Sequence, residues 1–154
     1  MFTNAHHSRG RALFALAMTA ALGGCADIPI IASPPHFDQK TIDGLNTVKK
    51  ETHSLLGNLQ RPAPDCLYAN NTIGFDALVA DIASVKAQAN TVARNMHTVA
   101  GIGDLADSAE HFRGAASAGA TTCLPANIVK NQQSAMDRAI DRLVAYEQKK
   151  PKVT

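Results

Sequence analysis

Residues 75–99 read FDALVADIASVKAQANTVARNMHTV, and the spacing of their apolar side chains decides the fold. Phe75, Leu78, Ile82, Val85, Ala89, Val92, Met96 and Val99 step by three and four without a break. On a helix such positions form one stripe, and strict heptad spacing over several turns points to packing against other helices. Ala80, Ala83, Ala87 and Ala93 flank the stripe and leave room for a close neighbour. On this reading the helix continues to Gly101-Ile102-Gly103, where glycine ends it.

The same periodicity extends to both sides. Upstream, Thr41, Leu45, Val48, Thr52, Leu55 and Leu59 step by four and three, with Ile42 and Leu56 widening the face. Asp38 is placed to cap that helix, and Arg61-Pro62-Ala63-Pro64 stops it. Downstream, Asp104 is expected to cap a shorter third helix through Leu105, Ala109, Phe112 and Ala116. A fourth helix is predicted to start at Leu124-Pro125 and to bury Ile128, Ala135, Met136, Ala139, Ile140, Leu143 and Tyr146. No segment alternates with period two. The expected fold class is all-α, an up-down-up-down four-helix bundle over residues 38–148.

The amino terminus reads differently. His6, His7, Arg9 and Arg11 precede an apolar run at residues 12–22, and Leu22-Gly23-Gly24-Cys25 follows. A basic start, a short apolar core and small residues before a cut make a secretory signal, and the run is too short to span a bilayer. The four residues ending at Cys25 resemble a bacterial lipobox. That resemblance implies a lipoprotein signal peptide over 1–24, cleavage between Gly24 and Cys25, and diacylglyceryl and palmitate-type acyl chains on Cys25. The alternative is ordinary secretion, with Gly24-Cys25-Ala26 as a small-x-small cleavage site. Ala26, not aspartate, follows the cysteine, which by the same resemblance favours the outer membrane over the inner. Residues 25–37, with Pro29, Pro34 and Pro35, cannot form a helix interior and are read as an extended lipidated tether of up to ~40 Å. Phe37-Asp38 with the Thr41 and Leu45 stripe also resembles small proteobacterial lipoproteins, a likeness that carries no functional residue.

Three cysteines are an odd number for an exported chain. Lipidation of Cys25 leaves Cys66 and Cys123, which in an oxidising compartment are expected to form a disulfide. Topology agrees. If the first helix runs away from the tether, the loops holding Cys66 and Cys123 fall at the same far end of the bundle. Two separate thiols or an intermolecular bridge are the alternative.

The 15 Lys+Arg and 13 Asp+Glu give a nominal +2, but Arg9 and Arg11 leave with the signal and the mature chain balances. A neutral chain with scattered charge argues against nucleic acid, which needs a basic face to release counterions. Lys149, Lys150 and Lys152 are read as a solvated basic tail over 149–154. His36, His97 and His111 are expected in the near half of the bundle and His53 in the far half; three imidazoles there could hold zinc or copper, but no pair has ligand spacing. Asp104, Asp107 and Glu110 read as charges favouring a helix N-terminus. Gly101-Ile102-Gly103 lacks a preceding strand and is no phosphate loop, and Ser54 beside His53 makes no triad. No catalytic residue, metal site or cofactor is expected. The expected role is a non-enzymatic, membrane-anchored envelope module with a protein partner, and the alternative is a periplasmic bundle that binds a small ligand or a metal.

Overall fold

The computed structural model describes residues 34–152. The segment read as a signal peptide, with Gly24, Cys25 and the first part of the expected tether, lies outside the described residues. Four helices follow in order: α1 (Gln39–Leu59), α2 (Tyr68–Asn90), α3 (Met96–Ala118) and α4 (Ala126–Gln148). Each packs on its neighbours in the cycle α1–α2–α3–α4–α1, and the backbones of the diagonal pairs stay apart. This is an up-down-up-down four-helix bundle. Its near end holds the start of α1 and the α2–α3 turn; its far end holds the loops between α1 and α2 and between α3 and α4.

Asp38 caps α1 as the sequence predicts, accepting hydrogen bonds from the backbone N–H groups of Lys40 and Thr41 at 3.3 and 3.2 Å. The predicted stripes of α1 and of α2 up to Ala89 are buried. Phe75 lies between Tyr68 and Phe112, with ring centroids 5.5 and 6.0 Å apart, and so joins α2 to α3. Cys66 and Cys123 form a disulfide at the far end, their Cα atoms 5.3 Å apart.

The turn between α2 and α3 departs from the sequence reading. The stripe does not run through to Val99: α2 ends at Asn90, and Met96, a stripe position, is 80% exposed as the first residue of α3. Neither glycine nor proline makes this break. Thr91 Oγ1 donates to the Gln88 carbonyl at 2.7 Å, Asn95 Nδ2 donates to the Ala89 carbonyl at 2.9 Å, and Arg94 takes a left-handed φ of 62°. Short polar side chains thus take over the last carbonyls of α2. Past the turn the stripe restarts one residue out of phase, as Asn95, Thr98, Ile102, Leu105, Ala109, Phe112 and Ala116.

It follows that Gly101 and Gly103 lie inside α3, Asp104 is no cap, and Asp104, Asp107 and Glu110 sit mid-helix. Gly101 serves close packing instead of a turn, since a Cβ there would stand 2.7 Å from Leu143 Cδ2 on α4. Gly44 does the same on α1, where a Cβ would stand 2.6 Å from Cγ2 of Val85 on α2. Val85 is β-branched and cannot swing away. Gly44→Ala is therefore expected to destabilise by about 1–2 kcal/mol, the helix-propensity gain only partly offsetting the overpacking. Gly114, with open space around its Cα, supplies the control. Gly114→Ala should raise stability by about 0.5–1 kcal/mol, and the two thermal midpoints should move in opposite directions.

In α4 Met136, Ile140 and Leu143 are buried as predicted, but Val129 and Glu147 join them in place of Ile128, which is 43% exposed, and of Ala135, which is exposed. Among the described residues no helix is long and apolar enough to cross a membrane.

Candidate functional site at the near end of the bundle

Continuing the α4 stripe by three and four places Glu147 and then Lys150 in the core. Glu147 is fully buried and Lys150 is 7% exposed, so Lys150 is not part of a solvated tail. Its ammonium donates to three acceptors: Asn95 Oδ1, Thr98 Oγ1 at 3.0 Å, and Glu147 Oε1. That uses every proton it has. Thr98 Oγ1 in turn donates to Glu147 Oε1, closing a ring across α3, α4 and the chain beyond. Asn95 stands at the N-cap position of α3 yet makes no capping bond; its amide is turned inward to Lys150 and to the end of α2. The Tyr146 ring lies beneath Lys150 Nζ at 5.1 Å, and His97 packs on that ring at 4.5 Å.

The two ends of the described chain also meet here. Phe37 N–H donates to the Pro151 carbonyl at 3.0 Å, and Lys152 Nζ lies 5.3 Å from the Phe37 ring. Asp38, beyond capping α1, accepts from Thr41 Oγ1 at 2.6 Å and from Gln88 Nε2 at 3.1 Å. Burial pushes the Asp38 carboxyl up, but the hydrogen bonds from Thr41, Gln88 and Lys40 outweigh it and hold the acid below its usual range. The near end is thus tied by polar bonds where the body of the bundle is apolar.

A second polar feature faces a groove of about 250 Å³ between α1 and α2, lined by Glu51, Ser54, Asn58, Asn70 and Asn71 among others. Burial, a hydrogen bond to the Asp81 side chain and the charge of Asp81 push the Glu51 carboxyl up to about 7. Its Oε2 is buried without a partner. Folding therefore favours the protonated acid, so stability is greatest below the ordinary value of 4.5 and falls as pH rises from there through about 7. With allowance for solvent screening at a partly exposed pair, the loss is about 1 kcal/mol. Glu51→Gln should remove this dependence and stabilise the protein at pH above the folded value. Thermal midpoints of both proteins across that pH window decide it; an unchanged slope in the variant would assign the dependence elsewhere.

The histidines do not converge. His97 and His36 are exposed at the near end, but His111, with α3 starting at Met96, lies past the middle of its helix towards the far end. His53 Nε2 lies 2.7 Å from Asp137 Oδ1 across α1 and α4. Among the described residues no three His, Cys, Asp or Glu side chains come together to hold a metal ion. Sequence spacing carried a signal for Glu147 and Lys150, since both continue the α4 heptad; their charge masked it. Glu51 and Asp81 lie on different helices and no local pattern joins them.

No protein-family model, curated protein or solved structure matches this chain.

Proposed function

We propose that the chain is a membrane-anchored envelope lipoprotein whose helical bundle is a non-enzymatic module for protein interaction or envelope assembly. One observation carries the second half of this reading. The interior is filled by side chains: Leu45, Val48, Leu56, Ile82, Ile102, Val129 and Ile140 are all fully buried. A bundle packed in this way offers a partner its outer surface, and the groove between α1 and α2 opens on that surface. The anchor rests on the lipobox-like residues ending at Cys25, and the Cys66–Cys123 bridge fits the oxidising compartment such an anchor implies. The outer membrane is the favoured site because Ala26 follows the cysteine.

The test is the intact mass of the protein from native membranes beside a Cys25→Ala variant. A lipid mass increment that vanishes in the variant, with loss of membrane association, supports the anchor. An unlipidated protein in the soluble fraction overturns it. Cross-linking in intact envelopes then tests the interaction role, and no reproducible protein adduct counts against it. A second reading, a small polar ligand held between α1 and α2, is favoured by the hydroxyl, amide and carboxyl groups lining that groove. It predicts that Asn70→Leu weakens a ligand that co-purifies with the protein.

A further inference from the structure

The charge of the mature chain balances overall but is not evenly placed. Lys40, in the first turn of α1, Lys86, near the end of α2, Lys149, at the end of α4, and Lys152 are all exposed at the near end. Of the carboxylates of that end, Glu147 is buried against Lys150 and Asp38 is bonded to Thr41 and Gln88, while Asp43 stays exposed and accepts from Gln39 at 2.8 Å, so lysines outnumber exposed carboxylates there. Along the sides and at the far end, Lys49 pairs with Asp141, Arg61 with Asp65, and Arg113 with Asp76 and Glu110, and His53 bonds Asp137. None of the four near-end lysines has an ion-pair partner among the described residues.

An apolar feature sits within this basic end. Met96, 80% exposed, borders a groove of about 360 Å³ whose lining includes Val92, Val99 and Lys86. Gly103 leaves space for Lys86 over α3, the ammonium lying 3.3 Å from where a Cβ would stand. A flexible thioether among lysines suits a surface of anionic headgroups over acyl chains: lysine stems lie along apolar surface while their ammonium groups reach phosphate. The chain reaches the bundle at this same end, and only residues 26–36 separate Cys25 from Phe37. That span reaches at most ~40 Å and makes a second membrane contact intramolecular, so weak binding suffices.

We propose that the near end of the bundle docks on anionic lipid headgroups of the membrane that carries the anchor. This rests on the lipoprotein reading. Docking would leave the sides and the disulfide-linked far end free for a protein partner.

The probe is the mature chain carrying Cys25→Ser, so that no acyl chain contributes, sedimented with pure phosphatidylcholine vesicles or with mixed phosphatidylcholine–phosphatidylglycerol vesicles. Binding is expected to the mixed vesicles only and to fade with added salt. The triple variant Lys86→Gln, Lys149→Gln, Lys152→Gln should lower the partition coefficient roughly a hundredfold, from about 1 kcal/mol per basic residue near the surface. A matched triple, Lys50→Gln, Lys130→Gln, Arg138→Gln, removes the same charge away from this end and should bind as the parent does. All six residues are exposed, and circular dichroism checks that both variants fold. Equal binding to both vesicle types, or equal loss in the two triples, overturns the proposal. That failure leaves the lipid mass increment of the anchor experiment untouched, and absence of the increment leaves vesicle partition untouched.

Discussion

Lys150→Met is expected to destabilise the bundle by about 3–5 kcal/mol, the cost of removing one partner from a buried ion pair. Methionine preserves the apolar stem and much of the volume, so the loss reports the ammonium and not a cavity. Without it, the Glu147 carboxylate stays in a site with no access to water, with only the Thr98 hydroxyl to bond it, and Asn95 Oδ1 loses its partner. Each of those groups then bears a desolvation cost that no bond offsets. The double variant Glu147→Leu, Lys150→Met should recover most of the loss, because it leaves no buried charge, and its stability should lie within about 2 kcal/mol of the parent. A double-mutant cycle by urea unfolding at neutral pH decides this. Single variants that each lose under about 1 kcal/mol would mean that water reaches the pair and that it is a surface contact.

That pair also marks the limit of what periodicity discloses. Helix number, order and direction were legible because the apolar stripes of α1 and α2 are long and regular, and the far-end meeting of Cys66 and Cys123 followed from the alternation of direction. The α2–α3 turn was not legible. Val92, Met96 and Val99 continue the heptad of α2, while Asn95, Thr98 and Ile102 begin that of α3, and the two phases overlap in one stretch. Apolarity favours the first; the structure takes the second, because Thr91 and Asn95 bond the carbonyls of α2 and Lys150 arrives from α4 to satisfy Asn95 and Thr98. A contact between residues more than fifty positions apart outweighs a local pattern, and a single helix stripe cannot display it. The same holds for α4, where Ile128 and Val129 compete for one position. Their hydropathies are nearly equal, so the inward one is set by the phase of Met136 and Ile140. The two glycines at 101 and 103 misled for a related reason: a residue without a side chain permits both a turn and a close helix contact, and only the neighbour decides which.

Replacing both Cys66 and Cys123 by serine should lower stability by about 4 kcal/mol. The bridge spans a sequence separation of 57, and closing a loop of that length removes about that much conformational freedom from the unfolded chain. The loop contains all of α2 and α3, so the unfolded chain gains freedom for half of the bundle when the bridge is lost. Each single variant should match the double, because either one opens the same bond, and reduction of the parent protein should reproduce the same midpoint. A parent whose midpoint does not move when both thiols are shown by mass to be free would assign the stability to packing alone. The bridge lies at one end of helices about 35 Å long and the Glu147–Lys150 pair at the other, so the two losses should add. Lys150→Met in the reduced protein then removes about 7–9 kcal/mol, against the ~5–15 kcal/mol that holds a domain of this size together. The expected result is a urea midpoint in the reduced variant that falls by the sum of the two separate losses and recovers the disulfide part when the bridge is restored.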